Sequence, residues 1–328
     1  MYDIIAIGDS TVDVFLFLDD ASVQCEVKKD ECKLCINYAD KVPVRQMARV
    51  DGVGNAANNA VGVSRLGLRA ALYSIIGHDM SGHAVLKTLK AENVATKFIV
   101  EDKKRGTNYS TVIDYKGERT ILVYHEHRDY HLPKLPKARW IYFTSMAKGH
   151  ESMYPSVVSY VKKMKPKVAF NPGTFQLKLG AKALAPILEL TDVLFVNKEE
   201  AKRLLDIEEE NGNMNELLPG LATLGLKIVV ITDGQKGSYC FDGSAVYQCA
   251  ILEAPVVERT GCGDAYASGF MAALIHGESP REAMRWGSIN AAGVIQYIGA
   301  QAGLVRKKEM MKMLVMHPEF QPHFLPLS

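Results

Sequence analysis

Strand-length apolar runs alternate with helix-period segments along most of this 328-residue chain, and that alternation admits few architectures. Strands are predicted at Asp3 to Ile7, Ala70 to Ile76, Trp140 to Phe143, Val168 to Phe170, Val193 to Val196 and Ile228 to Ile231. Helices are predicted at Ala56 to Leu66, Gly82 to Glu92, Ser152 to Met164, Lys198 to Leu205, Asp264 to His276 and Pro280 to Tyr297. Near-continuous apolar strands joined by helices bury both faces of a sheet, so the expected class is α/β, with a mostly parallel sheet between helical layers. In such a sheet ligands gather at the carboxyl ends of the strands.

Two stretches break the rhythm. Residues 20–50 are polar, alternate over Val23-Gln24-Cys25-Glu26-Val27 and carry no helix signal. Phe98 to Tyr124 reads as two strands around Lys116-Gly117, with Tyr109, Thr111, Ile113 and Tyr115 on one face. Together they predict a small separate sheet, 20–50 and 98–124, inserted twice into a core of 1–19, 51–97 and 125–328. The proline-spaced tail from Pro318 is expected to be irregular.

Composition excludes several functions. With 39 basic and 37 acidic residues the net charge is +2 (39 − 37), without the concentrated basic excess of a nucleic-acid platform. No apolar stretch has the length of a membrane span, so neither nucleic acid nor membrane is an expected partner. Met1 to Gly8 lacks the basic start and cleavage site of a secretory leader and reads as a buried first strand, which predicts a cytoplasmic location. Of the six cysteines, Cys32 and Cys35 form a Cys-x-x-Cys pair with Cys25 nearby. Zinc would need a fourth ligand, so ordinary reduced thiols are expected.

The stretch Glu258-Arg259-Thr260-Gly261-Cys262-Gly263-Asp264-Ala265-Tyr266 carries the most chemistry. Gly261 and Gly263 let successive amides face one point, and the helix that follows adds the positive end of its dipole, which makes an anion site. A carboxylate at its lip suits phosphoryl transfer, with Asp264 taking the acceptor's proton. The spacing alone fits equally well a glycine turn with Asp264 as a helix cap.

This stretch resembles the C-terminal signature of the ribokinase-like (PfkB) carbohydrate kinases, Asp-Thr-Thr-Gly-Ala-Gly-Asp-Ala-Phe. The resemblance implies a three-layer α/β/α core whose small sheet is a lid over the sugar site. It makes Asp264 the catalytic base, and Gly261, Cys262 and Gly263 the anion hole. Glu258 replaces an aspartate that in some members helps hold a monovalent cation, so Glu258 is the candidate for potassium.

Further elements follow the same family order. Gly52-Val53-Gly54-Asn55-Ala56-Ala57-Asn58-Asn59-Ala60 resembles the N-terminal Gly-Gly-x-x-x-Asn-x-Ala signature and implies substrate contacts from Gly54 and Asn58. The pattern also fits a dinucleotide fingerprint, but no buried strand precedes it. Asp13, after the first strand, matches an aspartate that binds sugar hydroxyls, while a turn-capping role fits the sequence as well. Asp9 reads as structural. Asn197-Lys198-Glu199-Glu200 has the form of a capping box, and in the resembled family the glutamate orients magnesium through water. Glu200 is therefore assigned to Mg2+ through its outer sphere, and Asn197 to the triphosphate. By the same resemblance Asn171 meets the triphosphate, and Thr232, Gly234 and Gly237 hold nucleotide phosphates and ribose. Asn290 lines the adenine pocket, and Gly299 to Gly303 form a loop near it.

Arg119 and the cluster His125, His127, Asp129, His131 read as a solvated lid edge, not a metal site. His127-Arg128-Asp129 lacks the companions of a protein-kinase catalytic loop, and no Walker loop is present. The expectation is a phosphotransferase with an alcohol acceptor, moving the ATP γ-phosphoryl group to a hydroxymethyl group of a sugar-like substrate. A nucleoside kinase shares that chemistry, with Phe15, Phe17 or Tyr109 as candidates for a wall against the base. A non-catalytic binder of the same fold is the third reading. The lid's strand edges suggest a homodimer.

Overall fold

The computed structural model describes residues 1–26, 31–207 and 212–326. Its main sheet has nine strands, in the spatial order His323–Phe324, Val246–Cys249, Ser238–Phe241, Ile228–Thr232, Val193–Asn197, Lys167–Phe170, Ala138–Phe143, Tyr2–Ile7 and Ala70–Tyr73. From Ala70–Tyr73 to Ile228–Thr232 every pairing is parallel, and the three remaining strands add antiparallel at one edge. The edge strand His323–Phe324 lies in the tail expected to be irregular.

Period-two alternation explains how one strand serves two cores. In Tyr2–Ile7, Ile4 and Ala6 pack with the helices Asn55–Arg65, Cys262–His276 and Pro280–Val294. Ile5 and Ile7 point the other way, against Tyr154–Met164, Gly180–Leu188 and Lys198–Leu205. The six helices predicted from sequence are present, with ends moved by up to a few residues. The strand expected from Ala70 to Ile76 is two strands, because Val100–Asp102 pairs with Ile75–Gly77 after a break at Ser74.

A second, separate sheet of four strands, Glu118–Tyr124, Asn108–Tyr115, Thr11–Leu18 and Val44–Val53, contains the strands expected of the lid and keeps that label. Its hairpin turns at Lys116 and Gly117, whose φ of 54° and 83° are the left-handed pair that a two-residue hairpin loop requires. Thr11–Leu18, expected in the core, lies in this sheet, where it pairs with Val44–Val53 on one side and Asn108–Tyr115 on the other. A central strand of a small sheet is as apolar as a core strand, and the pattern Thr-Val-Asp-Val-Phe-Leu-Phe-Leu does not distinguish them.

Ser22–Glu26 and Glu31–Cys35 form a separate two-stranded hairpin, and Val27 of the expected alternation lies outside the described residues. Cys25 and Cys32 face each other in register and are joined in a disulfide. This corrects the expectation of reduced thiols at those two positions. Cys35, Cys240, Cys249 and Cys262 are free. Among the described residues no helix is long and apolar enough to cross a membrane.

Candidate active site

A cavity of about 860 Å³ opens between the carboxyl edge of the main sheet and the lid. Into it project Asp13, Ser110, Arg119, Ile121 and Val123 from the lid, and Gly54, Asn58, Glu200, Gly261, Gly263 and Asp264 from the core. Residues 206 positions apart in sequence thus share one wall: the Asn58 amide donates to Asp264 Oδ2 at 2.8 Å.

The signature turn is built by sterics. Gly261 has φ 79°, and an added Cβ there would overlap the Cβ of Ala300. Behind it Cys262–His276 runs fifteen residues through the core, with small residues on the contact faces; an added Cβ on Gly269 would press on the Trp286 carbonyl. Among the described residues, no backbone carbonyl of the chain accepts from the amides of Gly261, Gly263 or Asp264. These are the open donors of a helix start, and Gly261, Gly263 and Asp264 all line the cavity. Cys262 departs from expectation: its N–H donates to the Arg259 carbonyl at 3.3 Å, and the residue does not line the cavity. Burial raises its thiol pKa.

Asp264 sits half-buried at the end of this turn. Burial, with smaller contributions from the Glu200 and Asp13 carboxylates, raises its pKa to about 6, against the lowering effect of the Asn58 hydrogen bond. Asn58 is itself fixed: its Oδ1 accepts from Gln301 Nε2 at 3.0 Å, which also donates to the Gly52 carbonyl at 2.7 Å. The two family signatures and the 299–303 loop therefore meet at one carboxylate. Asp13 is 8% exposed, and burial raises it to about 6, opposed by a hydrogen bond from Ser110. Asp9 holds the fold, accepting from the Tyr130 hydroxyl and the Ala147 amide, although it also borders the cavity.

The other predicted residues divide. Asn197 caps Lys198–Leu205: its Oδ1 accepts from the Glu200 amide at 2.8 Å, and its own amide donates to Glu200 Oε2 at 2.9 Å. Glu200 nevertheless borders the cavity, and burial raises its pKa. Thr232 is the register partner of Asn197 at the carboxyl edge, outside the cavity, with Gly234 and Gly237 in the turn beyond it. Gly237 has φ 85°, and an added Cβ would strike the Cys249 carbonyl, so the turn itself requires that glycine.

Two of the predicted residues are engaged in hydrogen bonds within the chain. Asn290 is fully buried: its amide donates to the Ala265 carbonyl and Ser268 Oγ, and its oxygen accepts from the Val305 amide. It has no group left for an adenine pocket and instead pins three segments together. Asn171 donates to the Phe195 carbonyl and accepts from the Tyr142 and Thr144 hydroxyls, so these bonds bridge neighbouring strands. Glu258 is 6% exposed; its Oε1 accepts from Arg119 at 3.0 Å and from the Thr260 amide and hydroxyl at 2.7 and 2.6 Å. A guanidinium from the lid thus pairs with the carboxylate that was the candidate for a monovalent cation.

Sequence reasoning placed Arg119, His125 and His127 on a solvated edge, yet all three border the cavity. It missed Lys148 and Phe175, which border it too, with the His125 and Phe175 ring centroids 6.4 Å apart. Nothing near them in sequence marks them, because loops bring them in. Phe15 and Phe17 are buried inside the lid against Val112, and Tyr109 packs on the core, so none of the three forms a wall of the cavity.

An α/β sheet with a four-stranded lid, closing on a carboxylate beside a helix start, defines a phosphotransferase of the sugar-kinase type. Residues 16–307 match the pfkB family carbohydrate kinase profile, and the chain belongs to that family, whose members transfer phosphoryl groups to alcohols. It is 28% identical over 253 residues to an uncharacterized sugar kinase of Archaeoglobus fulgidus, covering 75% of this chain and 99% of that one. Ribokinase of Arabidopsis thaliana, solved with ribose and ATP, superposes with a TM-score of 0.78 at 20% identity, covering 95% of this chain and 98% of that one. The nucleoside kinase of Methanocaldococcus jannaschii gives 0.75 at 20% identity, covering 96% and 99%.

Proposed function

We propose that this chain transfers the γ-phosphoryl group of ATP to a hydroxymethyl group of a sugar or sugar-like acceptor. The observation that carries the reading is Asp264: a carboxylate with pKa about 6, beside open helix-start amides, facing Asp13 across the cavity. The acceptor hydroxyl gives its proton to Asp264 as its oxygen bonds to phosphorus and the bond to the ADP oxygen breaks. A base near pKa 6 is largely ionised at neutral pH yet still a competent proton acceptor. The amides of Gly261, Gly263 and Asp264 stabilise charge on the phosphoryl oxygens. Asp13, buried and facing the acceptor side, accepts hydrogen bonds from sugar hydroxyls. Thr232, Gly234 and Asn197, together at the carboxyl edge, face the nucleotide.

Magnesium fits the oxygen donors present, because Asp13, Glu200 and Asp264 gather negative charge around one cavity; when bound it neutralises phosphate charge. Glu200, which borders the cavity, would hold it through bound water. Potassium is not required on this reading, since Arg119 already neutralises Glu258. With ATP as donor, the expected compartment is the cytoplasm.

The His125–Phe175 pair favours a second reading, in which a nucleoside is the acceptor and its base lies against those rings. A panel of free sugars and nucleosides with ATP and magnesium, read by ADP release, separates the two. Turnover with ribose or fructose supports the first, and turnover with nucleosides alone replaces it by the second. No acceptor-dependent ADP release from any member overturns both.

A further inference from the structure

We infer that His78, His83 and Glu101 form a transition-metal site on the outside of the core, at the root of the lid and separate from the kinase cavity. Their donor atoms lie within 4.8 Å of one another, and His78 Nδ1 is 2.8 Å from Glu101 Oε2. The two imidazole centroids are 5.3 Å apart. None of the three residues lines the cavity, and no step of the phosphoryl transfer uses them.

Three elements converge to make the cluster, and their backbones are clamped. His78 follows Ile75–Gly77, and its N–H donates to the Asp102 carbonyl at 2.8 Å. Glu101 stands in Val100–Asp102, in register with Ile76. His83 is in the first turn of the helix Met80–Ala91, its N–H donating to the Asp79 carbonyl at 3.0 Å. The Asp79 side chain caps that helix at Gly82 and accepts from the Thr107 amide and hydroxyl, while the same hydroxyl accepts from the Gly77 amide. Added Cβ atoms on Gly77 and Gly82 would run into backbone, so these elements sit as close as glycine allows. The side chains themselves are exposed, held by their contacts with one another. Metal–nitrogen bonds of about 2.0–2.1 Å bring donors to roughly 3–3.5 Å of each other, a contraction that rotation of exposed side chains supplies.

The donor set selects the ion. Two imidazoles and one carboxylate suit Zn2+, Co2+, Ni2+ or Cu2+, whereas Mg2+ prefers oxygen and keeps its water. Three protein ligands leave at least one position for water, so this is an open site and not a closed structural one. Because Glu101 lies shortly before the lid strand Asn108–Tyr115, a bound ion would tie that approach to the helix Met80–Ala91.

The test titrates chelator-treated full-length protein with Zn2+ by calorimetry and with Co2+ by visible absorption, in excess magnesium. One ion per chain is expected, with cobalt bands of nitrogen and oxygen ligation. His78→Ala and His83→Ala should each weaken binding at least about tenfold, Glu101→Gln less, and a His125→Ala/His127→Ala variant should keep it. All positions altered at the proposed site are exposed, and matching metal-free circular dichroism and melting certify the fold. Binding of unchanged strength in the His78 and His83 variants, or no binding below millimolar metal, overturns the site. So does loss of binding in the His125/His127 variant alone. These readouts do not involve turnover, so failure here is distinct from failure of the kinase reading.

Discussion

Asp264 is costly to the fold in the state its chemistry needs. Its pKa is raised from the ordinary carboxylate value to about 6, so the folded chain holds a proton there that the unfolded chain releases near pH 4. Between those values the folded state binds more protons, and stability from this group falls as pH rises. Asp264→Asn should therefore melt higher than the parent at pH 7, with the gap closing as pH falls towards 4, read by calorimetry across that range. The same substitution should lower turnover by about two to four orders of magnitude, the range for a positioned base. The parent's kcat should fall as pH drops through about 6. Near-normal turnover by a folded, saturated Asp264→Asn variant would remove the base assignment. Gly261, Gly263 and Asp264 were legible because one contiguous turn carries them. The Asn58–Gln301 support was not, since its hydrogen bonds span hundreds of positions. Asn290 and Asn171 show the converse: an asparagine in a matching position reads the same whether its amide faces a ligand or satisfies buried carbonyls.

At the scale of elements, the lid meets the signature turn through Arg119. Its strand, Glu118–Tyr124, is exposed along its length, yet Arg119 reaches the buried Glu258 at 3.0 Å, with side-chain exposures of 36% and 4%. Removing the guanidinium leaves a buried carboxylate whose other oxygen, Oε2, already has no partner among the described residues. Arg119→Ala should cost about 1–3 kcal/mol in chemical denaturation and raise KM for the acceptor more than it lowers kcat, because Arg119 also walls the cavity. An unchanged midpoint and KM would show the pair to be ornamental. The hairpin that carries Cys25 and Cys32 is the opposite case, a two-stranded sheet with no other strand beside it among the described residues. Cys25→Ser should speed hydrogen exchange in Ser22–Glu26 and Glu31–Cys35 while the global Tm stays within about 2 °C. A larger fall in Tm would mean the hairpin supports the core. Strand and helix periods made the core legible, but the assignment of Thr11–Leu18 to the lid was not, because pairing partners are a property of topology and both sheets offer a buried centre.

For the whole molecule the open question is what covers the lid's outer strand. In Glu118–Tyr124, Ile121 and Val123 turn towards the cavity, while Leu122 and Tyr124, 56% and 58% exposed, are on the other side. A strand with both an unpaired edge and exposed apolar side chains is what soluble proteins ordinarily blunt with charge or cover with a partner. Here Glu118 and Arg119 supply charge at one end only, and the run Ile121 to Tyr124 is apolar throughout. A second copy meeting the first edge to edge would extend the sheet and cover Leu122 in both chains at once, the self-complementary arrangement of a two-fold dimer. Light scattering after size exclusion should then give twice the 36.2 kDa chain mass, and Leu122→Lys should return it to one chain with the core melting unchanged. If dimerisation completes the lid, that monomer should also show a raised acceptor KM. A monomeric parent at micromolar concentration, or a dimer indifferent to Leu122→Lys, would leave the edge to some other contact and remove the lid from the assembly.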